Sequence, residues 1–322
     1  MRQFAKPTIV VSKCLEFDAC RYNGEMIPDV TIRNLQPFVT FIPVCPEVEI
    51  GLGTPRETIR IVEENGENRL VQPSTREDVT EKMEQFSKDF LQTISDVDGF
   101  ILKNRSPSCG TRDVKIYSGF EKAPAKGKGA GLFGGAVVKN FSHLPIEEEG
   151  RLSNFIIREH FFTRLFTIAY YKMIKHNKNM KELVSFQSDN KYLFMAYNQV
   201  KQKELGRIIA NQKNEKIEVV FENYEKTLYE LFMRAPRYTS NVNVCEHIFG
   251  YFKTKLKKQE KDHFIELLQK YAEKKIPLSS LLTILKSWAI RFDEKYLLRQ
   301  TYFEPYPEAL VEISDSGKGR DY

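Results

Sequence analysis

The chain has 322 residues, of which 41% are hydrophobic and 29% are charged, and its formal net charge is +6. This length exceeds the usual size of one hydrophobic core, so two domains are expected. The composition is typical of an ordinary soluble protein, and the lack of about 18 consecutive uncharged apolar residues predicts no membrane-spanning helix.

The charge is divided unevenly along the sequence. Residues 1–150 hold 19 basic and 22 acidic side chains, a net charge of −3, so the remainder carries +9. A basic second half suggests a polyanionic partner, and a lysine-rich solvated surface is the alternative. The first residues lack the apolar segment and cleavage site of a leader peptide, so we expect a cytoplasmic protein.

Three short apolar runs in the first half are typical of buried strands: Thr8–Val11, Phe38–Val44 and Gly99–Leu102. Between the second and the third, Thr58–Val62 and Arg69–Val71 flank Asn65-Gly66, which predicts a hairpin or short loop excursion. Ser74 and Glu77 match a capping box, and apolar residues then recur at helical spacing up to Ile94. Strand, helix and strand in this order predict an α/β domain with a parallel-sheet core.

The end of the first domain is predicted in a polar region. A glycine- and lysine-rich stretch, AKGKGAGLFGG, is followed by Pro145 and the acidic run Glu147–Glu149, which is expected to form the last loop. We therefore divide the chain into residues 1–150 and 151–322. From about Ser153 the apolar periodicity is helical almost throughout, so the second domain is predicted to be mainly α. The polar tail 314–322 is expected to fray.

Basic and aromatic residues alternate in one predicted helix of the second half. They are Tyr251, Phe252, Lys253, Lys255, Lys257, Lys258 and Lys261. This composition is compatible with contacts to RNA phosphates, and a solvated helix face is the alternative. Nothing in the sequence indicates an oligomeric state.

Three of the five cysteines follow predicted strands: Cys14 the first, Cys45 the second and Cys109 the third. The carboxyl ends of parallel strands form the edge of the sheet where ligands bind. A single cysteine at such a position is usually a small core residue, but three in equivalent positions indicate a site. A reducing compartment and an odd number of cysteines argue against a disulfide framework.

The spacing of these cysteines lacks the C-x-x-C pairs of structural zinc sites and many ferredoxin-like clusters. Three separated loops suit an enclosed 4Fe-4S cluster better, with one iron left open as a thiophilic Lewis acid. A zinc site on the same thiolates is the alternative. Cys20 is a candidate fourth ligand, sulfur carrier or redox partner, and we prefer a structural role beside the site. Cys245 is predicted to be a core residue.

Gly129, Gly131 and Gly134 match the G-x-G-x-x-G pattern of dinucleotide-binding folds. The preceding residues EKAPAKGK are polar where that fold needs a buried strand, so no nicotinamide cofactor is expected. We expect the glycines to form, with Lys126 and Lys128, a mobile flap beside the site.

Three segments, SKCLEFDACRYNG, PVCPEVEIGLGTPRE and LKNRSPSCG, resemble the signature blocks of the TudS family of thiouracil desulfidases. The second half is similar to the YbgA-type helical domain in LVSF, KYLFMAYN, KELGRIIA, GYFKTKLKKQEK and YLLRQTYFEPYP. The resemblance covers nearly the whole chain. The combination resembles the two-domain desulfidases, called RudS, that convert 4-thiouridine in tRNA to uridine. The chain departs from the family pattern near Phe17, where a glycine is expected, and at Gln187 and Tyr197, where histidines are expected.

The resemblance implies that Cys14, Cys45 and Cys109 hold a 4Fe-4S cluster whose open iron binds the sulfur of the substrate. It implies removal of sulfur from 4-thiouridine in tRNA by non-redox hydrolysis, with release of sulfide. The resemblance and the charge of +9 together make the five lysines between Lys253 and Lys261 candidate RNA-binding residues.

The same resemblance suggests catalytic residues. Glu47 is the candidate base that activates a water molecule. Ser106 or Ser108 would orient the substrate or relay a proton, and Lys103 or Arg105 would stabilise negative charge on the pyrimidine. The alternative for Glu47 is a carboxylate at a helix start, and that for Ser106 is a turn residue.

Two other functions compete with tRNA desulfuration. One is hydrolysis of free thiouracil or its nucleoside, with another role for the helical domain. The other is a cluster-bearing RNA-binding or redox-sensing protein without turnover.

Overall fold

The computed structural model describes residues 2–94, 96–120, 123–212 and 214–312. The strands in these residues are β1 (Thr8–Ser12), β2 (Thr40–Val44), β3 (Arg60–Glu64), β4 (Glu67–Gln72), β5 (Glu77–Asp78), β6 (Gly99–Leu102), β7 (Val114–Tyr117), β8 (Ala125–Gly129) and β9 (Ile146–Glu148).

The helices in the same residues are α1 (Val30–Leu35), α2 (Pro46–Glu49), α3 (Thr80–Thr93), α4 (Leu132–Phe141), α5 (Glu149–Leu152), α6 (Phe155–Asn177), α7 (Met180–Asp189), α8 (Lys191–Tyr197), α9 (Gln199–Ala210), α10 (Ile217–Leu231), α11 (Tyr238–Phe249), α12 (Lys258–Ala272), α13 (Leu278–Arg291) and α14 (Lys295–Leu298). Short 3₁₀ helices lie at Gly250–Phe252, Thr301–Phe303 and Glu308–Leu310. None of these described helices is long and apolar enough to cross a membrane.

Two compact units divide the chain. The first comprises the residues up to Ala169 and those from Ala309, and the second spans Tyr170–Glu308. The first unit extends past residue 150, where the sequence placed the domain boundary, and includes the N-terminal half of α6. Phe166 of that half contacts the ring of Phe4 at a centroid distance of 5.9 Å.

A parallel sheet in the order β2-β1-β6-β9 forms the core of the first unit. Its central strand β1 contributes Ile9, Val10 and Val11, which are fully buried. The near-continuous apolar sequences of β1 and β6 are typical of strands buried on both faces. The prediction of a buried strand is wrong for β2, which lies at the edge of the sheet and is only partly buried. The predicted α/β domain with a parallel-sheet core is confirmed.

A second sheet has the order β5-β4-β3-β7-β8. The antiparallel pair β3 and β4 is joined by Asn65-Gly66, whose φ angles are 53° and 86°. Positive φ at both central residues is typical of a type I′ turn, which matches the twist of a hairpin. The predicted hairpin is therefore confirmed.

The prediction of a loop at Glu147–Glu149 is wrong. Ile146–Glu148 forms β9, which pairs in parallel with β6. Its carboxylates are buried and paired: Glu147 pairs with the nearby Arg151 at 2.9 Å and with the distant Arg112 at 3.4 Å, and Glu148 accepts from the backbone N–H of the distant Thr111 at 2.7 Å. An acidic run without these partners would be solvated.

The predicted capping box at Ser74 and Glu77 is also wrong. Glu77 lies in β5, and α3 begins only at Thr80. The side chain of Asp78 accepts from the Thr80 backbone N–H at 2.9 Å and so satisfies one of the free donors of the first turn.

The predicted flap forms regular structure instead. Lys126 and Lys128 lie in β8, where Lys126 pairs with Glu63 and Lys128 pairs with Asp113 at 3.1 Å. The glycines that follow belong to the start of α4, with Gly131 as its N-cap.

The start of α4 packs directly on the loop that follows β6. The backbone N–H of Gly131 donates to the carbonyl of Gly110 at 2.7 Å, and that of Gly134 donates to the carbonyl of Ser108 at 2.9 Å. A Cβ atom at Gly134 would overlap the carbonyl oxygens of Cys109 and Gly110. These glycines therefore permit a close approach of helix and loop. The carbonyl groups of the loop accept hydrogen bonds from backbone N–H groups at the start of the helix, which have no partner within it.

The second unit is helical, as predicted, and it has its own aromatic core. Cys245 lies in this core and is fully buried, which confirms its predicted position. Gln187, which stands where a histidine was expected, accepts from the Tyr224 hydroxyl at 2.6 Å. The predicted frayed tail 314–322 lies outside the described residues.

We expect Gly134→Ala to lower the thermal stability, because the added methyl group would meet backbone atoms that cannot move aside. Overpacking of this kind costs about 1–3 kcal/mol, which lowers Tm by roughly 2–10 °C. Thermal unfolding followed by circular dichroism measures this change.

The matched control is Gly135→Ala in the same helix, where the nearest atom to the new Cβ would be Ala130 Cβ at 3.4 Å. Because alanine favours helix over glycine, this variant should keep or raise Tm. Equal Tm values for the two variants would contradict the close approach described here.

Candidate active site

A cavity of about 360 Å³ lies at the carboxyl ends of β1, β2 and β6. Cys14, Cys20, Cys45 and Cys109 line it, and all four side chains are buried. Its volume falls in the range typical of small-ligand pockets. The structure thus brings the three predicted cluster cysteines, and Cys20 with them, to one place.

The three cysteines that are predicted to bind the cluster follow their strands in different ways. Cys14 lies two residues beyond β1, and Cys45 follows β2 directly as the N-cap of α2. Cys109 lies on the tight turn after β6, which is closed by a hydrogen bond from Gly110 N–H to the Ser106 carbonyl at 2.9 Å. Three independent loops therefore contribute one thiol each.

Burial disfavours the charged forms of Cys14 and Cys109. Burial raises the pKa of Cys14 to about 12, and the neighbouring Cys45 adds to this shift. Burial also raises the pKa of Cys109 well above its ordinary value, while a hydrogen bond with Ser12 opposes the shift. A bound cationic centre would reverse this preference, because metals bind the thiolate.

The donors that line the cavity suit an iron-sulfur cluster. Such clusters are held by cysteine thiolates, each of which binds a different iron. The three buried thiols, one from each of three loops, are donors of this kind.

Cys20 has contacts through its backbone as well as a thiol in the cavity wall. Its carbonyl accepts from Arg56 Nη1 at 2.9 Å and from Cys45 Sγ at 3.8 Å. Burial raises the pKa of its thiol to about 12. These contacts are made by the backbone, so the structural role of the Cys20 side chain stays a prediction.

Glu47 lies in the first turn of α2 and is held on both sides. Its Oε1 accepts from the Ser108 hydroxyl at 2.7 Å. Its Oε2 accepts from Arg56 Nε at 2.9 Å and from Arg56 Nη2 at 2.6 Å. The side chains of Arg56 and Glu47 are only 4% and 13% exposed. The pair therefore fixes the orientation of the carboxylate at the cavity wall.

Arg56 also connects three segments of the chain through its hydrogen bonds. The sequence analysis did not predict this role. Its Nη1 donates to the carbonyls of Cys20 and Gly53, at 2.9 Å and 2.8 Å. The residue stands in the block PVCPEVEIGLGTPRE, but neither its spacing nor its type indicates that it pairs with Glu47. A buried carboxylate needs a cation or hydrogen-bond donor as its partner. This need is the only signal in the sequence that a residue such as Arg56 must contact Glu47.

Of the two predicted serines, Ser106 lines the cavity and Ser108 does not. Ser106 Oγ accepts from the backbone N–H groups of Ser108 and Cys109, at 3.2 Å and 3.1 Å. This pattern is that of a turn residue. Ser108 is fully buried and acts on Glu47, so its hydroxyl positions the carboxylate.

Lys103 lines the cavity and is paired. Its Nζ contacts the carboxylate of Glu149 and the side chain of Asn104. Glu149 also accepts from the backbone N–H of Asn104 at 2.7 Å, and it is buried. Arg105, the other predicted cation, lines the same cavity with an exposed side chain.

The loop after β1 has a left-handed residue one position before the expected glycine. Glu16 has a φ of 70°, a region that costs a non-glycine residue about 1–2 kcal/mol. Its carboxylate pairs with Arg33 at 2.9 Å and accepts from the backbone N–H of Asp29, which offsets part of this cost. Phe17 packs against Phe41 at a centroid distance of 5.2 Å.

The basic run of the second unit is not one helix, and that prediction is wrong. α12 begins at Lys258, with Lys257 as its N-cap, and the lysines before them lie in a turn. Glu260 explains this start, because its carboxylate accepts from the backbone N–H of Lys257 at 2.8 Å. Lys255 pairs with Glu294. Within the described residues no ion pair is formed by Lys253, Lys257, Lys258 or Lys261.

Comparison with known proteins assigns both halves. The family described as 2-thiouracil desulfurase matches residues 9–149, and the family described as protein of unknown function DUF1722 matches residues 191–307. The uncharacterized protein YbbK of Bacillus subtilis strain 168 is 36% identical over 118 residues, which are 34% of this chain and 77% of the relative. The uncharacterized protein YbgA of Escherichia coli strain K12 is 22% identical over 156 residues, which are 48% of this chain and 92% of the relative.

A solved structure of the 4Fe-4S-dependent thiouracil desulfidase TudS is similar with a TM-score of 0.36 and 24% identity, over 46% of this chain and 93% of that chain. The family match over residues 9–149 covers the two sheets except Thr8, and every residue that lines the cavity. The chain belongs to the 2-thiouracil desulfurase family, with a DUF1722 domain in its second half.

Proposed function

We propose that this protein is an iron-sulfur enzyme that hydrolyses the C–S bond of a thiolated uracil, and that its substrate is 4-thiouridine in tRNA. The observation that carries the proposal is the meeting of three thiols and an oriented carboxylate in one cavity. Membership of the 2-thiouracil desulfurase family supports the reaction. The charge of +9 beyond residue 150 supports a nucleic acid as the substrate.

Cys14, Cys45 and Cys109 would hold a 4Fe-4S cluster. When bound, the cluster would supply an iron without a protein ligand, a thiophilic Lewis acid suited to the sulfur of a thiocarbonyl. The protein shields this centre, since all three thiols are buried.

The remaining chemistry is proton transfer and charge stabilisation. Glu47 accepts a proton from the water molecule that attacks the ring carbon bearing the sulfur. Arg56 and Ser108 hold its carboxylate in one orientation, so no reorganisation is needed during the reaction. Lys103 provides positive charge beside the pyrimidine. Overall, C=S and water give C=O and hydrogen sulfide, and no electron is transferred.

Free thiouracil is the second candidate substrate, favoured by the family description itself. A cluster-bearing protein that binds RNA or senses redox state without turnover is the candidate from another class. Sulfide release from tRNA, from the nucleoside and from the free base separates all three. Binding of tRNA without release of sulfide would favour the third.

We expect Glu47→Gln to slow sulfide release by about 10²–10⁴-fold, because an amide cannot accept the proton from water. Iron content should stay at the wild-type level, since the amide keeps the shape of the side chain. The assay is sulfide release from tRNA that contains 4-thiouridine, together with iron analysis of the same sample.

Glu49→Gln is the matched control, because Glu49 lies on the same short helix, is exposed and does not line the cavity. It should leave sulfide release unchanged. Full activity of the Glu47→Gln enzyme with an intact cluster would refute the assignment of the base.

If the second unit binds RNA, removing its lysines should lower activity on tRNA but not on the nucleoside. Replacing Lys253, Lys257 and Lys258 together by glutamine should weaken the use of tRNA and make it less sensitive to salt, because fewer phosphate contacts are formed. Desulfuration of the 4-thiouridine nucleoside should be unchanged. The values of kcat/KM for both substrates at two salt concentrations measure this difference.

The control for that variant replaces Lys181, Lys203 and Lys226, three exposed lysines on α7, α9 and α10, by glutamine. It removes the same charge from other surfaces of the unit. An equal loss in both triple variants would indicate general attraction and not a phosphate site. No loss in either would exclude the proposed RNA contact.

A further inference from the structure

Cys20 is the cavity thiol that the proposed function does not use. Its side chain lines the cavity together with the three cysteines that are predicted to hold the cluster. It is only 3% exposed, and Cys45 is 8% exposed. A fourth buried thiol in a cavity that already holds three makes a second cysteine available to each of them.

Cys45 is the predicted cluster ligand that interacts with Cys20 directly. The Sγ atom of Cys45 lies 3.8 Å from the carbonyl oxygen of Cys20. Since this carbonyl is bonded to the Cα atom that carries the Cys20 thiol, the two side chains start from neighbouring points of two loops. Burial raises the pKa of Cys20 to about 12, and the charge and hydrogen bonding of the Cys45 thiol add to the shift. Cys14 acts on the pKa of Cys20 through its charge.

One guanidinium fixes the backbone on both sides of this pair. Arg56 Nη1 donates to the Cys20 carbonyl at 2.9 Å, and Arg56 Nε donates to Glu47 Oε2 at 2.9 Å. Glu47 lies two residues beyond Cys45, which is the N-cap of the same short helix. A disulfide requires Cα atoms that are roughly 4.4–6.8 Å apart, so two loops held together by one side chain favour this pair.

We propose that Cys20 and Cys45 form an oxidation site, in which peroxide joins the two thiols as a disulfide when they carry no iron. Peroxide is small, and the cavity is also lined by Tyr22 and Arg105, whose exposed side chains mark a path from solvent. Cys45 would then have two alternative partners, iron and Cys20.

The oxidation takes place in two steps that need only the two thiols and hydrogen peroxide. The sulfur of one thiol attacks peroxide, the O–O bond breaks, and a sulfenic acid and one water molecule are formed. The second thiol displaces the hydroxyl group of the sulfenic acid as a second water molecule, and the S–S bond forms. The two cysteines lose two electrons and two protons, and peroxide is reduced to water.

The disulfide and the cluster exclude each other, because both use the sulfur of Cys45. A chain with this disulfide would take up no cluster until a thiol reductant restores both cysteines. In a chain that carries the cluster, Cys20 would stay a thiol beside the site. This exclusion rests on the proposed function, whereas the formation of the disulfide does not.

Peptide mapping of the metal-free, full-length protein tests the proposal. Metal is removed with a chelator under dithiothreitol, the reductant is removed without air, and hydrogen peroxide is added in small excess. Remaining thiols are alkylated before digestion with glutamyl endopeptidase. Cleavage after Glu16 separates Cys14 from Cys20, so mass spectrometry identifies each pair. We expect Cys20–Cys45 as the main disulfide and a fall from five free thiols to three.

Two variants and one loading experiment serve as controls. Cys20→Ser should keep its four thiols under the same treatment. Cys245→Ser, which alters a cysteine in the core of the second unit, should form the disulfide as the wild type does. The oxidised wild type should take up iron on reconstitution only after dithiothreitol, and protein reconstituted before the treatment should form the disulfide more slowly.

Five free thiols after peroxide, or loss of thiols without a disulfide, would overturn the proposal. A main disulfide that joins Cys45 to Cys14 or Cys109 would overturn it as well. If iron-loaded protein formed the disulfide as fast as metal-free protein, Cys45 would be removed as a cluster ligand, whereas the oxidation site would stand. Sulfide release by a protein that forms no disulfide when metal-free would remove only the oxidation site.

Discussion

The parallel pairing of β1 with β2 and β6 is the constraint on which the site depends. Parallel strands end at the same edge of a sheet, so loops that are distant in sequence start side by side. Cys14, Cys45 and Cys109 reach one cavity for this reason. Because β1 is fully buried between its neighbours, a displacement of any of the three strands would expose apolar surface as well as separate the thiols.

Buried charges around the cavity occur in pairs that join separate loops. Glu47 with Arg56 connects the loop after β2 to the loop of Cys20, and Glu149 with Lys103 connects β9 to β6. Removing one partner of such a pair costs about 3–5 kcal/mol, since a buried charge is left alone. The pairs therefore hold the loops around the thiols in a single arrangement.

The sequence was informative where local chemistry determines structure. Apolar runs ending at turn residues predicted β1, β2 and β6, and Asn65-Gly66 predicted a hairpin, since both signals depend on neighbouring residues alone. The carboxylates of β9 look like a solvated loop because their partners, such as Arg112 and Thr111, are far away in sequence. The same limit applies to Gly134. A glycine is needed there because a Cβ atom would overlap the carbonyl oxygen of Cys109, which is distant in sequence.

The candidate catalytic residues show this limit most clearly. Family resemblance pointed to Glu47, but its partner Arg56 is identified only in the folded structure. The sequence does not show whether Glu47 is buried, and a carboxylate exposed to solvent needs no cationic partner. Ser106 or Ser108 was expected to orient the substrate or relay a proton, and in the fold the Ser108 hydroxyl donates to Glu47. Residue type and spacing can therefore predict which groups gather at an edge of the sheet, whereas their division between catalysis and positioning requires the three-dimensional contacts.

Iron and acid-labile sulfide per chain, measured after anaerobic purification and reconstitution, test the central claim most directly. The account predicts about four of each in the wild type and in Cys245→Ser, as expected for one 4Fe-4S cluster. Combined replacement of Cys14, Cys45 and Cys109 by serine should abolish both. A wild-type protein that holds no iron under these conditions, or that holds zinc in its place, would contradict it.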